Sequence, residues 1–166
     1  MRQIYPDLWV TEAEHLAPEF PDLKLYACYL VRKMGNVLFG RFEHHADHRH
    51  IKELGGITHQ YLTHWHEAAP GLARTKKMFV SKLVCHRLAE AAVSKFSSVD
   101  VTFEIREVHL GDIEVTKSRS YPRKHVLPLQ VAPRKDISVR GRHALPEPRH
   151  VASGRVRGWQ QIRPEG

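Results

Sequence analysis

The sequence Thr-His-Trp-His at positions 63–66 carries the most distinctive chemistry of this chain. His64 and His66 are spaced i, i+2 and follow the segment 57–62, which is predicted to be a β-strand. Side chains two residues apart on a strand point to the same side, so both imidazoles can reach one metal ion. Imidazole nitrogens are ligands of zinc, but two loop histidines would show the same spacing. The spacing alone leaves both interpretations open.

A second group of histidines lies in the segment 43–50. His44 and His48 are spaced i, i+4 and would share one face of a helix. A metal site is one interpretation; a solvated start of a helix with titrating imidazoles is the favoured one. The remaining candidates lack partners at a ligand spacing and are interpreted as structural or surface residues: His59, His86 and His109.

The elements that must position these side chains alternate between strands and helices. Trp9, Trp65 and the apolar strand residues are candidates for the core. Asp47 is a candidate N-cap, and Gly55-Gly56 would end the helix that it begins. This order predicts an α/β fold. Strands are predicted at 8–10, 25–32, 37–39, 57–62, 82–85, 101–105 and 113–115, helices at 47–54, 71–79 and 88–96, and a turn at 34–36.

Composition limits the class of protein. The chain has 166 residues, 42% hydrophobic and 27% charged, which suits one globular domain. It contains neither an apolar run of about eighteen residues nor a signal-peptide pattern, so we expect no membrane partner. Cys28 and Cys85 stand far apart, which disfavours a disulfide framework or a thiolate zinc site. A cytoplasmic location is the expectation.

The positive charge is confined to the end of the chain. Residues 1–116 hold 14 Lys and Arg against 15 Asp and Glu, whereas residues 117–166 hold 12 against 3. Six of the ten prolines also lie after residue 116. Low hydrophobicity and high net charge predict a disordered basic tail. Such a tail can bind nucleic acid through phosphate contacts, although no aromatic stacking platform accompanies the charge.

The succession of hairpin, helix, strand, Thr-His-Trp-His, Pro-Gly and helix resembles the N-terminal half of the metallo-β-lactamase fold superfamily. That family carries His-x-His-x-Asp-His directly after a buried strand, and His64 and His66 match its first two ligands. Ala68 and Ala69 stand at the positions of the motif's Asp and last His. Glu67 is out of phase with the Asp position and is interpreted first as a surface acid.

The resemblance implies an incomplete metallo-β-lactamase-like αββα sandwich, a mixed sheet with flanking helices, formed by residues 1–116. Half of such a sandwich is expected to leave an apolar sheet face uncovered. The implied function is zinc-dependent hydrolysis of an ester, thioester, amide or phosphoester, with a small-molecule substrate and with zinc held by His64 and His66. Catalytic zinc usually has three protein ligands, so we expect weak activity or none.

The family's later motifs are absent from residues 117–166. A Pro-Gly-His-Thr-Pro-Gly loop and a Gly-Asp-Thr turn are expected there. Read one nucleotide later, the codons from Lys117 to His125 can spell Ser-Pro-Gly-His-Thr-Pro-Gly-Ser, and those of 141–146 can spell Gly-Asp-Thr-Leu-Phe. We therefore interpret the tail as an out-of-frame product of a metal-binding second half. Two alternatives remain, a basic-tailed nucleic-acid-binding protein and a non-functional remnant.

Overall fold

A mixed β-sheet flanked by helices organises the computed structural model, which describes residues 1–15, 24–115, 129–131 and 138–139. The helices are α1 (His45–Glu53), α2 (Gly71–Phe79) and α3 (Glu90–Val93), with 3₁₀ turns at Trp65–Glu67 and Arg87–Ala89. The strands are β1 (Arg2–Tyr5), β2 (Leu8–Val10), β3 (Glu14–His15), β4 (Lys24–Leu25), β5 (Cys28–Leu30), β6 (Val37–Phe39), β7 (His59–Leu62), β8 (Lys82–His86), β9 (Val101–Phe103), β10 (Val108–His109), β11 (Ile113–Val115), β12 (Leu129–Val131) and β13 (Ser138–Val139).

The large sheet has seven strands in the order β1-β2-β5-β6-β7-β8-β9. The first four of these pair antiparallel, and β6 to β9 pair parallel, with a helix in each parallel connection. The carboxyl ends of β6, β7, β8 and β9 therefore meet at one edge of the sheet. The segment that carries His64 and His66 leaves β7 at this edge.

Both faces of the large sheet are covered. On one face α1 and α2 pack over clusters that include Leu38, Ile51 and Leu72. On the other face the second sheet, in the order β10-β11-β12-β13, contributes Ile113 and Val115 to the cluster built around the large sheet. The expectation of an uncovered apolar face was wrong, because β11 supplies two fully buried side chains to it. The predicted mixed sheet with flanking helices is confirmed.

Two short segments of the basic tail differ from the expectation of disorder. β12 pairs antiparallel with β11, and β13 pairs antiparallel with β12, so both extend the second sheet. The other residues of 117–166 lie outside the described part of the chain. The predicted disorder of those residues, and the boundary between 1–116 and 117–166, stay predictions.

Helix α1 begins at His45, two residues before the predicted start. Its N-cap is His44, and Asp47 is not a cap. Asp47 is buried and accepts hydrogen bonds from the Met1 ammonium at 2.7 Å and from the Glu12 amide at 3.0 Å. The helix therefore uses its acidic residue to anchor a distant segment. Helix α2 has the predicted bounds, 71–79.

Two other predicted elements are shorter or divided. The strand expected at 25–32 is divided into β4 and β5, because Ala27 hydrogen-bonds to Thr11 instead of continuing the ladder. The helix expected at 88–96 is a 3₁₀ turn followed by α3. Among the described residues, the helices are all too short or too polar to cross a membrane.

Candidate functional site

His64 and His66 lie just beyond the carboxyl end of β7. The chain is still extended at His64, with φ −165° and ψ 164°, and then turns through the 3₁₀ segment that contains His66. The sequence predicted that both histidines lie on one strand. In the structure only His64 keeps the extended backbone, and His66 lies in the 3₁₀ turn. Their rings are nevertheless adjacent, with centroids 5.4 Å apart. Two imidazoles bound to one zinc through nitrogen–metal bonds of about 2 Å have a similar separation between their rings.

The ring of His64 is buried and held on one side only. It is 3% exposed, and Nδ1 lies 3.1 Å from Thr63 Oγ1 and 3.2 Å from Glu67 Oε1. Its Nε2 atom is buried and has no hydrogen-bond partner among the described residues. A buried nitrogen without a partner costs free energy, and a metal ion would satisfy it. His48 Nε2 and His86 Nε2 share this condition, so the case for a ligand site at His64 also rests on the neighbouring ring of His66.

Glu67 is a buried carboxylate, not the surface acid that the sequence predicted. It is 6% exposed and accepts hydrogen bonds from the Thr63 amide at 2.6 Å and the Thr63 hydroxyl at 2.9 Å. Burial by itself raises the pKa of Glu67, but His64 and the two Thr63 donors together hold that pKa below its usual range. The carboxylate is therefore ionised at neutral pH.

A sequence signal for this contact exists. Glu67 is the third residue after the N-cap of the 3₁₀ turn, His64, and a carboxylate at that position reaches back toward the N-cap amide. Here it bonds the amide one residue earlier, that of Thr63. The sequence reasoning missed it because the acid was compared only with the metal-ligand position of the family motif.

The charge of Glu67 affects the pKa of the Cys28 thiol. Burial raises the pKa of the Cys28 thiol to about 12, and the negative charge of Glu67 adds to this effect. The thiol stays protonated at neutral pH, and a protonated thiol is a poor nucleophile and metal ligand. In the described part of the chain, Cys28 does not belong to any group of three or more side chains placed to hold a metal ion.

Trp65 lies at the surface beside the site, although it was predicted to be in the core. It is 45% exposed, and its ring stacks on that of His66 with centroids 3.7 Å apart. Trp9, the other predicted core tryptophan, is half-buried and packs against the helix-covered cluster. The stacking gives the exposed His66 a preferred orientation next to His64.

Among the described residues, the structure does not bring a third ligand to this pair. Ala68 and Ala69 follow the turn and offer no donor atom. In the described ranges, no group of three or more His, Cys, Asp or Glu side chains is placed to hold a metal ion. The residues present therefore fit part of a zinc site: two imidazoles, one of them oriented by a carboxylate.

His44 and His48 do not form a second candidate pair. His44 is exposed, whereas His48 is 4% exposed and its ring packs on Phe42, with centroids 4.5 Å apart. His48 Nδ1 bonds the His44 carbonyl oxygen at 2.8 Å. The prediction of a solvated helix start with titrating imidazoles was wrong for His48, because the ring of His48 is part of the packing between α1 and α2.

The remaining histidines have the structural or surface roles that were expected. His86 Nε2 lies 3.6 Å from Glu104 Oε2, and His109 Nε2 lies 3.1 Å from Glu107 Oε2. His59 is half-buried and contacts Thr58.

A cleft of about 370 Å³ opens beside the carboxyl end of β6, at the same sheet edge as the histidine pair. Its volume suits a small molecule. Neither His64 nor His66 lines it, so the cleft and the histidine pair are separate features. The lining residues are Ala13, Glu14, Arg41, Glu43, His44 and His45.

Comparisons with known proteins identify the fold. No protein-family model and no curated protein sequence matches this chain. A metallo-β-lactamase of Pontibacter korlensis matches 78% of the chain and 65% of its own length, with 18% identity and a TM-score of 0.58. One from Hirschia baltica matches the same shares with 13% identity and a TM-score of 0.59. One from Cronobacter sakazakii, described by a HARLDQ motif, matches 78% and 59% with 17% identity and a TM-score of 0.56.

This chain spans 59 to 65% of the length of those three proteins. Identities of this size establish a shared fold and leave activity open. The chain therefore has the metallo-β-lactamase fold, as the N-terminal part of that fold.

Proposed function

We propose that this chain is a metallo-β-lactamase-fold hydrolase-like protein in which His64 and His66 bind one zinc ion weakly. The observation that supports this most is the buried Nε2 of His64, which has no hydrogen-bond partner among the described residues and belongs to a ring 5.4 Å from that of His66. A neutral imidazole nitrogen with a free lone pair is a ligand that zinc favours.

The chemistry follows from the ligand number. Zinc bound at this pair would supply Lewis-acid assistance for hydrolysis of an ester, thioester, amide or phosphoester. His64 would bind through Nε2 while Glu67 holds its Nδ1 side. Because catalytic sites usually use three protein ligands, two histidines support weak metal binding and weak or absent hydrolysis. The third ligand is proposed to lie in the Gly-His-Thr-Pro-Gly loop that the shifted reading frame can encode.

The experiment measures zinc in the full chain. We expect weak, sub-stoichiometric zinc in the wild-type protein after gel filtration, and less in His64→Ala and His66→Ala. The exposed helix residue His45 provides the matched control, and His45→Ala should keep the wild-type zinc content. Zinc that is unchanged in His64→Ala would contradict the proposal. Tight stoichiometric zinc that disappears in His64→Ala would show that further ligands exist.

A second candidate function rests on the 12 Lys and Arg among residues 117–166. These side chains would bind nucleic acid by releasing counterions from phosphates, so the affinity would fall steeply with salt and would not depend on base sequence. A mobility-shift titration of one labelled duplex at two salt concentrations tests this function. A chain ending at residue 116 should lose the binding if the tail causes it.

A further inference from the structure

The two ring nitrogens of His64 face different surroundings. Nδ1 has two oxygen neighbours, Thr63 Oγ1 at 3.1 Å and Glu67 Oε1 at 3.2 Å. The Thr63 hydroxyl donates its proton to Glu67 Oε1 at 2.9 Å, so this proton is directed at the carboxylate and away from the ring. Both oxygens that face Nδ1 are therefore acceptors.

An imidazole nitrogen that faces two acceptors must carry the proton itself. In a neutral His64 the proton then lies on Nδ1, and Nε2 keeps its lone pair. Among the described residues Nε2 has no hydrogen-bond partner, so no acceptor there competes with Thr63 and Glu67 for the ring proton.

Glu67 is fixed in the orientation that this contact needs. Its Oε2 accepts the Thr63 amide at 2.6 Å, which leaves Oε1 for the hydroxyl and the ring. Gly40, at the end of β6, lies beside it, and a Cβ atom there would be 3.6 Å from Oε1. One buried carboxylate thus contacts both Thr63 donors and His64 and lies beside Gly40.

We propose that Glu67 is the positioning residue of His64, holding the imidazole in its Nδ1–H tautomer so that Nε2 is presented as the ligating nitrogen before any metal binds. The tautomer is a property of the chain itself. Only the consequence for zinc affinity rests on the function proposed above. Partners of this kind on a ligating histidine typically change metal affinity by about 10- to 100-fold.

The first test reads the tautomer without metal. In the ¹⁵N-labelled full chain at about pH 8, where an ordinary imidazole is neutral, long-range ¹H–¹⁵N correlation should show His64 with its proton on Nδ1. His64→Ala assigns the signal by removing it. Glu67→Gln should reverse the tautomer, because the Thr63 amide still requires an oxygen and the new amide NH₂ then donates to Nδ1. Glu53→Gln, an exposed substitution of the same type on α1, should leave it unchanged.

The second test measures zinc affinity by titration of the same proteins. Glu67→Gln should weaken zinc binding by about 10- to 100-fold, and Glu53→Gln should not change it. Thr63→Val removes one oxygen neighbour of Nδ1 but keeps the carboxylate, so it should retain the Nδ1–H tautomer. This variant also covers the case in which Glu67→Gln does not fold.

The outcomes separate the two proposals. A wild-type His64 that carries its proton on Nε2, or a tautomer reversed by Thr63→Val alone, would overturn the role of Glu67. The expected tautomers without zinc binding in any of the proteins would remove the proposed function and support the positioning role. If zinc binding requires His64 but is equally strong in Glu67→Gln, and the tautomer of that variant is unchanged, the proposed function is supported and the positioning role of Glu67 is overturned.

Discussion

The two buried histidines of the described residues, His48 and His64, differ in the groups that contact their rings. His64 has an ionised carboxylate beside its ring, whereas among the described residues His48 has only the His44 carbonyl as a hydrogen-bond partner. Burial lowers the pKa of His48 below its ordinary value, and this outweighs the opposing hydrogen bond to His44. Arg74 and His45 lower the pKa further, and Asp47 opposes them.

The depressed pKa of His48 predicts a stability that falls in mild acid. As the pH decreases through about 6.5, the unfolded chain protonates this histidine while the folded chain keeps it neutral. The free energy of unfolding should therefore be highest above pH 6.5 and should decline between there and the lower folded pKa. Urea unfolding at a series of pH values should show a shallower decline for His48→Leu than for the wild-type chain.

The control for this series is His44→Ala. Its side chain is exposed, and its backbone carbonyl, which His48 uses, is retained. This variant should keep the wild-type pH dependence. If His48→Leu also keeps it, then another group causes the decline.

At the scale of the elements, the turn of the β5–β6 hairpin contains a glycine that packs against the residue before β7. Gly35 has φ +105°, and a Cβ atom there would lie 2.6 Å from Thr58 Cγ2. Thr58 precedes β7 and donates its amide to the Asn36 carbonyl at 2.9 Å. The turn thus fixes the beginning of the strand that leads to His64.

A pair of glycine substitutions separates backbone strain from this packing. Gly111 also has a positive φ, +79°, but a Cβ atom there would meet nothing within 4 Å. Gly111→Ala should lower the free energy of unfolding by about 1 kcal/mol through strain alone. Gly35→Ala should lower it by about 1–3 kcal/mol more, because the methyl group displaces Thr58. Urea denaturation of both variants measures the difference, and equal losses would contradict the close contact.

At the scale of the whole molecule, a partly buried ion pair joins the two sheets. The Arg32 side chain, just after β5, donates from Nε to Asp112 Oδ2 at 3.0 Å, and its NH2 group also contacts Asp112 and the Leu110 carbonyl. Asp112 lies in the turn between β10 and β11. The second sheet is therefore held to the first by charge and also by the burial of Ile113 and Val115.

The reading-frame interpretation leads to a prediction for the complete fold. Restoring the frame near Thr116 should produce a chain with the Gly-His-Thr-Pro-Gly loop, whose histidine would be a third ligand beside His64 and His66. Three histidines leave one position open on zinc, so metal content and hydrolysis of simple esters or thioesters should rise together. Metal analysis and ester assays of both chains measure this gain.

The nucleotide sequence provides the independent check, because the third codon bases are not visible in the protein. If the other two frames encode unrelated residues after Thr116, the basic tail is a genuine product. The nucleic-acid-binding candidate would then become the favoured function.

Local sequence patterns predicted much of this architecture. The residue pattern of 57–62 and that of 71–79 are local features of the chain, so β7 and α2 were predicted without knowledge of their partners. The His64–His66 spacing likewise indicated a candidate ligand pair from the chain alone.

Tertiary structure decided which polar side chains are buried and what each one contacts. Glu67 is polar in any pattern, but it lies in the interior because the Thr63 donors and His64 stabilise its charge there. Trp65 is apolar and yet exposed, because the 3₁₀ turn directs it outward. The covering of the second sheet face came from β11, whose partners in the large sheet are distant in sequence. Such contacts depend on the three-dimensional path of the chain, and residue type and spacing do not contain that information.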